Sequence, residues 1–179
     1  VYSSEKLAAG YNMIPNLVWS VIHLTPITVY CFTEMDRVWV YIFLGLSVLA
    51  AFVPNRFFDR MQLSKTTKFY RKLGILTVRR FSQDGDMINR LIRKKYPEHR
   101  IIRGYKNREA YIQRTYFYER FHFIVLVFML AASVYAFLQF DYWWALTFII
   151  SNILYNIYPM FLQQYNRMRI EMLVKRQNT

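Results

Sequence analysis

Cys31 has no second cysteine to pair with, so no disulfide within the chain can staple this fold. A lone cysteine in an apolar run, with no neighbouring base, reads as an inert helix residue rather than a nucleophile. Histidine is almost as scarce. His23, His99 and His122 are too scattered for a metal-ligand cluster, and neither a metal nor a cofactor is expected. The five glycines are dispersed, which excludes a phosphate-cradling glycine loop. There is no readable Ser-His-Asp order and no His-x-x-x-x-Asp pair. Acidic residues are few, 11 against 24 lysines and arginines, for a formal net charge of +13. So basic a chain invites a nucleic-acid partner. Zinc-ligand spacing, a recognition-helix pattern and RNA-binding aromatic motifs are all missing, and no nucleic-acid partner is expected.

The positive charge is segregated, and four apolar stretches of about 20 residues fill the two ends of the chain. They run over about 13–33, 38–58, 121–140 and 143–162. Residues 38–53 and 123–137 lack the polar face of a surface helix. The expected fold is an all-α integral membrane protein, a single domain over 1–179. Four transmembrane helices enclose a basic, partly amphipathic-helical segment at 59–120. The connectors at 34–37 and 141–142 are acidic or nearly neutral, so the positive-inside rule places 59–120 and both termini in the cytoplasm. The first stretch has no basic n-region and no small-residue cleavage site, and reads as a retained span rather than a signal peptide. It is the most polar of the four, with Asn16, His23 and a Pro26 expected to kink it. Residues 1–12 read as a polar interfacial lead-in. Arg56 ends the second stretch in position to snorkel toward head groups.

The basic segment is too apolar for a solvated loop, with Tyr70, Leu73, Ile75, Leu76, Phe81, Ile88 and Ile92 among its residues. Amphipathic helices are expected over 64–73 and 87–95, separated by an Asp84-Gly85 turn, the second stopped by Pro97. Such helices lie in the membrane interface. Arg79, Arg80, Arg93, Lys94 and Lys95 are expected to touch anionic lipid head groups. From about Lys106 the chain should be helical without a break into the third span.

Two constellations could carry chemistry. In Glu119-x-x-His122 the two side chains share a helix face, and a carboxylate can orient an imidazole that acts as general base. The plainer reading is an interfacial polar cluster at a helix start. Asn152, Asn156, Pro159 and Gln163 recur every three or four residues and line one helix face with amides, followed by Gln164, Tyr165, Asn166 and Arg167. That face is either a pocket for a polar head group or a set of interhelical hydrogen bonds. His23 is expected to bond Asn152 or Asn156.

Leu73-Gly74-Ile75, Asp84-Gly85, Thr115…Glu119-x-x-His122 and Asn156…Gln163-x-Tyr165-Asn166-Arg167-x-Arg169 together resemble the glycosyl-4,4'-diaponeurosporenoate acyltransferase family of carotenoid biosynthesis. The likeness covers about 68–170. It implies a small bacterial protein of the cytoplasmic (inner) membrane that transfers a fatty acyl chain onto a sugar hydroxyl of a glycosylated carotenoid. By position it implies Glu119 and His122 as catalytic residues, with Asn156, Gln163, Tyr165, Asn166 and Arg167 in the same site; Asn152 joins them on the amide face. Where the family commonly carries arginine, this chain has Gln164 and Phe117. The expected partners are membrane lipids, a lipid-like acyl donor and acceptor, and other membrane subunits. The alternatives are a non-catalytic accessory subunit and a carrier that binds a lipid or pigment without reacting.

Overall fold

The computed structural model describes residues 2–83, 85–98 and 108–175, and all regular structure among them is helical. Helix α1 spans Tyr2–Thr33, unbroken through Pro15 and Pro26, and absorbs the lead-in expected over 1–12. Helix α2 spans Arg37–Ala50. Proline explains why it stops short of 58. Pro54 has no N–H to give and pushes Val53 out of the helical region. The chain therefore closes with turn bonds from Ala51, Phe52 and Val53 to Val48, Leu49 and Ala50, and restarts as α3, Asn55–Arg60. The expected second span is thus a 14-residue helix, roughly 21 Å long and short of the ~30 Å hydrocarbon core.

Among the described residues, three helical stretches are apolar and long enough to cross a membrane: Lys6–Thr33, Arg108–Leu138 and Tyr142–Met172. Helix α7 is Arg108–Leu138. The last stretch joins α8 (Tyr142–Asn152), a π-helical turn (Ile153–Ile157) and α9 (Tyr158–Lys175), and so outruns the span expected over 143–162. Large apolar side chains stand out from these helices, Phe32 and Trp143 more than 80 % exposed. So much unsheltered apolar surface suits lipid, not water.

The segment between α3 and α7 holds α4 (Thr67–Lys72), α5 (Ile75–Phe81) and α6 (Asp86–Lys95). Helix α6 matches the expectation over 87–95; α4 is shorter than the one expected over 64–73, and α5 is additional. Asp84, His99 and Lys106 lie outside the described residues. Part of the apolar face of these short helices packs on protein, while Leu76, Phe81, Met87 and Leu91 remain exposed. Tyr70 and Ile75 are fully buried against Leu162, Tyr165 and Met168 of α9, and α6 packs on α1. Protein side chains cover them because α9 outruns the membrane-spanning length and offers its own apolar stripe.

Helix α7 is the hub, touching α2, α8 and α9. One end of the bundle is an aromatic core of Tyr30, Phe43, Tyr135 and Phe148, where the Tyr30 hydroxyl donates to Asp141 Oδ2 at 2.7 Å. At the other end Arg120 donates to the Val53 carbonyl at 3.2 Å and to Asn55 Oδ1 at 2.7 Å, fastening the α2–α3 break to α7.

Two glycines set the path of the short helices. Gly74 sits at φ 77°, in the left-handed region between α4 and α5. Gly85 begins α6 so close to the Arg79 and Ser82 carbonyls that an added Cβ would collide with both. Gly85→Ala should lower stability by roughly 1–3 kcal/mol through that overpacking, and Gly74→Ala by about 1 kcal/mol through strain. Gly45→Ala, in open space on exposed α2, should be neutral or stabilising. Thermal unfolding of the three variants in detergent should give that order.

Candidate functional site

The innermost polar group is Glu119, completely buried on α7. Its Oε2 accepts from Arg167 Nη1 at 2.7 Å and its Oε1 from Gln164 Nε2 at 2.7 Å. Gln164 turns its own Oε1 to the Tyr70 hydroxyl at 2.7 Å and to the Leu63 N–H at 3.4 Å. Burial pushes the Tyr70 hydroxyl above the ordinary tyrosine range, so it stays protonated and remains a donor. On its far side Arg167 lies 4.1 Å over the Tyr116 ring, and the Tyr116 hydroxyl donates to Asp59 at 2.5 Å. A single chain of polar contacts therefore ties α3, α7, α9 and α4 together. Arg167 Nη2 is buried with no hydrogen-bond partner among the described residues.

One turn further along α7, His122 faces a different set. Asn152 Nδ2 donates to the Leu126 carbonyl at 3.2 Å, and Asn156 Nδ2 donates to Asn152 Oδ1 at 2.8 Å. Asn156 is thereby oriented with its oxygen toward His122 Nδ1, 3.4 Å away. The π turn makes this geometry. Its wider winding presents both Tyr155 and Asn156 inward. Pro159 has no N–H for the Tyr155 carbonyl, and that carbonyl adds a second acceptor beside the ring. Tyr155 also packs edge-on to His122 and shares a 2.8 Å hydrogen bond with Ser20 of α1.

His122 lines a cavity of about 1460 Å³ between α1, α5, α6, α7 and α9. Its walls mix aromatic groups (Trp19, Tyr118, Phe121, Tyr155), amides (Asn16, Gln83, Gln163, Asn166) and cations. Gln83 closes one side by accepting from Asn16 at 3.0 Å and donating to Tyr118 at 3.1 Å. Among the described residues no three His, Cys, Asp or Glu side chains gather as a metal site.

The residues singled out in the sequence thus separate into two groups. His122, Gln163 and Asn166 reach the cavity, with Asn152 and Asn156 behind His122. Glu119, Tyr165 and Arg167 are buried away from it. Glu119 does not orient His122, because both its oxygens are taken by α9. Three residues along a helix turn the side chain by about 300°, enough to aim the two at different neighbours. His23 does not meet Asn152 or Asn156 either. It stacks on Trp19 at 5.4 Å, and its Nε2 has no hydrogen-bond partner among the described residues. Of the expected lipid-contact cations, Arg79, Arg93 and Lys94 line the cavity, and Arg79 pairs with Asp86 at 2.9 Å. Arg80 and Lys95 are exposed elsewhere. Sequence reading missed Tyr118, Tyr155 and Gln83. Only Tyr155 carried a signal, its place beside Asn156 on the amide face.

Removing one member of a buried ion pair leaves the other charge uncompensated, at about 3–5 kcal/mol. Arg167→Met should therefore unfold at a much lower temperature than the native chain. The double variant Glu119→Leu/Arg167→Met should recover much of the loss. Native-like stability in the single variant would show that the pair does not hold the fold.

No curated protein and no solved structure matches the chain. A family pattern does match, over residues 54–176. That stretch runs from the start of α3 through α9 and contains the ion pair, the amide ladder and every cavity wall except α1. On that match, the protein belongs to the glycosyl-4,4'-diaponeurosporenoate acyltransferase family.

Proposed function

We propose that the cavity is the active site of a membrane-embedded acyltransferase. It would move a fatty acyl chain onto a hydroxyl of a glycosylated carotenoid, isoprenoid or similar amphiphile at the cytoplasmic leaflet. The observation that carries this reading is a histidine held by an ordered amide ladder in the wall of a large cavity of mixed polarity. Pockets for drug-sized ligands are about 300–1,000 Å³; this one has room for parts of two amphiphiles.

The chemistry follows from the ladder. The Asn156 oxygen favours a proton on His122 Nδ1, which leaves the lone pair on Nε2. Nε2 takes the acceptor hydroxyl's proton as the oxygen attacks the acyl carbonyl. The tetrahedral intermediate collapses, the acyl bond to the donor breaks, and His122 returns the proton to the leaving group. Gln163 and Asn166 supply neutral donors for the oxyanion and the sugar hydroxyls. Glu119 and Arg167 act at one remove, because they fix the α9 turn that carries Gln163 and Asn166.

The basic end of the bundle is assigned to the cytoplasm by its charge. On this reading α2 together with the Ala51–Pro54 turn, which meets Arg120, would serve as a fourth crossing. From Arg120 to Leu138, α7 rises roughly 27 Å, close to the hydrocarbon thickness.

His122→Ala should lose roughly 10²–10⁴-fold in ester formation while still inserting and folding. Asn156→Leu should lose less, about tenfold, since the base survives with a poorly held ring. Product can be followed by mass spectrometry of lipids and pigments from cells expressing each variant. Full activity in a normally expressed His122→Ala protein would remove the catalytic reading and favour a carrier or accessory subunit. In a Cys31→Ser background, Asp36→Cys should be labelled from outside intact cells and Lys72→Cys should not; the reverse pattern would overturn the orientation.

A further inference from the structure

The cavity wall carries a charge imbalance that the hydroxyl-activating chemistry does not use. Six cations line it, Arg79, Arg90, Arg93, Lys94, Arg114 and Arg169, against one carboxylate among the described residues, Asp86. Asp86 is already engaged by Arg79, through Nε at 3.2 Å and Nη2 at 2.9 Å. The cations come from α5, α6, α7 and α9, four elements converging on one space. Arg90, Arg93, Lys94 and Arg169 are exposed and form a solvent-facing rim, and the summed positive potential of such a rim favours entry of an anion into the cavity. Neutral sugar hydroxyls do not supply one.

Lipid contact alone does not account for this arrangement. Arg80 and Lys95 flank the same helices and do not line the cavity. Arg79, Arg90, Arg93 and Lys94 of the basic segment border the space that His122 also borders, and Arg80 and Lys95 do not. Residues 79–94 lie outside the three stretches suited to cross a membrane, so the basic wall is at the end of the cavity nearest water.

We propose that this wall is a phosphate-binding subsite for the acyl donor. It would hold the phosphate group or groups of an activated acyl compound and deliver the acyl carbonyl to the acceptor hydroxyl beside His122. The inference rests on the acyltransferase reading and deepens it by naming the chemical class of the donor. The atoms balance without a further reagent. The hydroxyl oxygen forms a bond to the acyl carbon, the donor's acyl bond breaks, and the hydroxyl proton leaves with the phosphate-bearing group by way of His122. Two sources share this chemistry, a soluble acyl thioester with a phosphorylated carrier arm and an anionic phospholipid.

The test is binding, measured apart from turnover. The full chain in phosphatidylcholine nanodiscs is titrated with palmitoyl-coenzyme A, and separately with nanodiscs containing phosphatidylglycerol. The wall variant is Arg90→Gln/Lys94→Gln, and the outward control is Arg80→Gln/Lys95→Gln. Loss of charge-assisted hydrogen bonds should weaken binding in the wall variant by roughly tenfold or more. The control should stay within about twofold of the native chain, because Arg80 and Lys95 do not border the cavity. Competition by coenzyme A without the acyl chain points to a soluble thioester, and competition only by phosphatidylglycerol points to a phospholipid donor. Equal binding by the wall variant and the native chain, or equal losses in both double variants, overturns the proposal. His122→Ala separates the two readings. Donor binding retained with turnover lost supports both, whereas donor binding lost only in the wall variant while His122→Ala remains fully active leaves the phosphate subsite standing without the catalytic histidine.

Discussion

The contact between Glu119 and Arg167 constrains everything around it. Both side chains are all but inaccessible, and they sit on the two helices that carry the site. A charge so placed is tolerated only when paired and hydrogen-bonded, so α7 and α9 are fixed in register to within a hydrogen bond. Gln164 extends the constraint to α4 through Tyr70, and Tyr116 extends it to α3 through Asp59. The short basic helices are thus held to the bundle by polar chemistry as well as by the apolar contacts of Tyr70 and Ile75. Residues 163 and 166 are carried on the same turns of α9 as the anchors at 164 and 167. The site's cavity face and its foundation are alternate faces of one helix.

Much of the fold was legible because lipid imposes a simple rule on sequence. Apolar runs of about 20 residues marked α1, α7 and α8 directly, and the amphipathic pattern of α6 ended at the expected residue. What failed was read from hydropathy where backbone chemistry decided. The run over 38–58 is apolar on average, yet Pro54 divides it into α2 and α3, a local effect that average hydropathy does not register. The short helices were assigned to the lipid surface because amphipathicity reports an apolar face, not what covers that face. Helix α9 covers part of it.

The site was legible as a set of residues but not as a set of pairings. The amide periodicity of Asn152 and Asn156 was visible, and so was the closeness of Glu119 and His122 along the chain. Spacing says that two side chains share a helix; it does not say which neighbour takes their hydrogen bonds. Glu119 found two donors on α9, and His122 found the amide chain instead. Gln164 shows the same limit. At a position where the family commonly carries arginine, the amide both donates to Glu119 and accepts from Tyr70 and Leu63. A guanidinium has no acceptor and could not make the second half of that pattern.

The π turn explains how one helix serves both purposes. A continuous α-helix from Tyr142 to Lys175 would keep a single apolar stripe along its length. The wider turn at Ile153–Ile157 shifts the register at the depth where the requirement changes from bilayer packing to a polar wall. Before it, Ala145, Phe148 and Ser151 face the bundle; after it, Asn166 and Arg169 reach the cavity while Gln164 and Arg167 reach Glu119. Pro159 follows the turn and lacks an N–H, so the Tyr155 carbonyl is available beside His122 rather than committed to the helix. An irregular backbone inside a membrane is tolerated where it borders a cavity or packed protein. Here it borders both, and the irregularity lies beside His122 in the cavity wall.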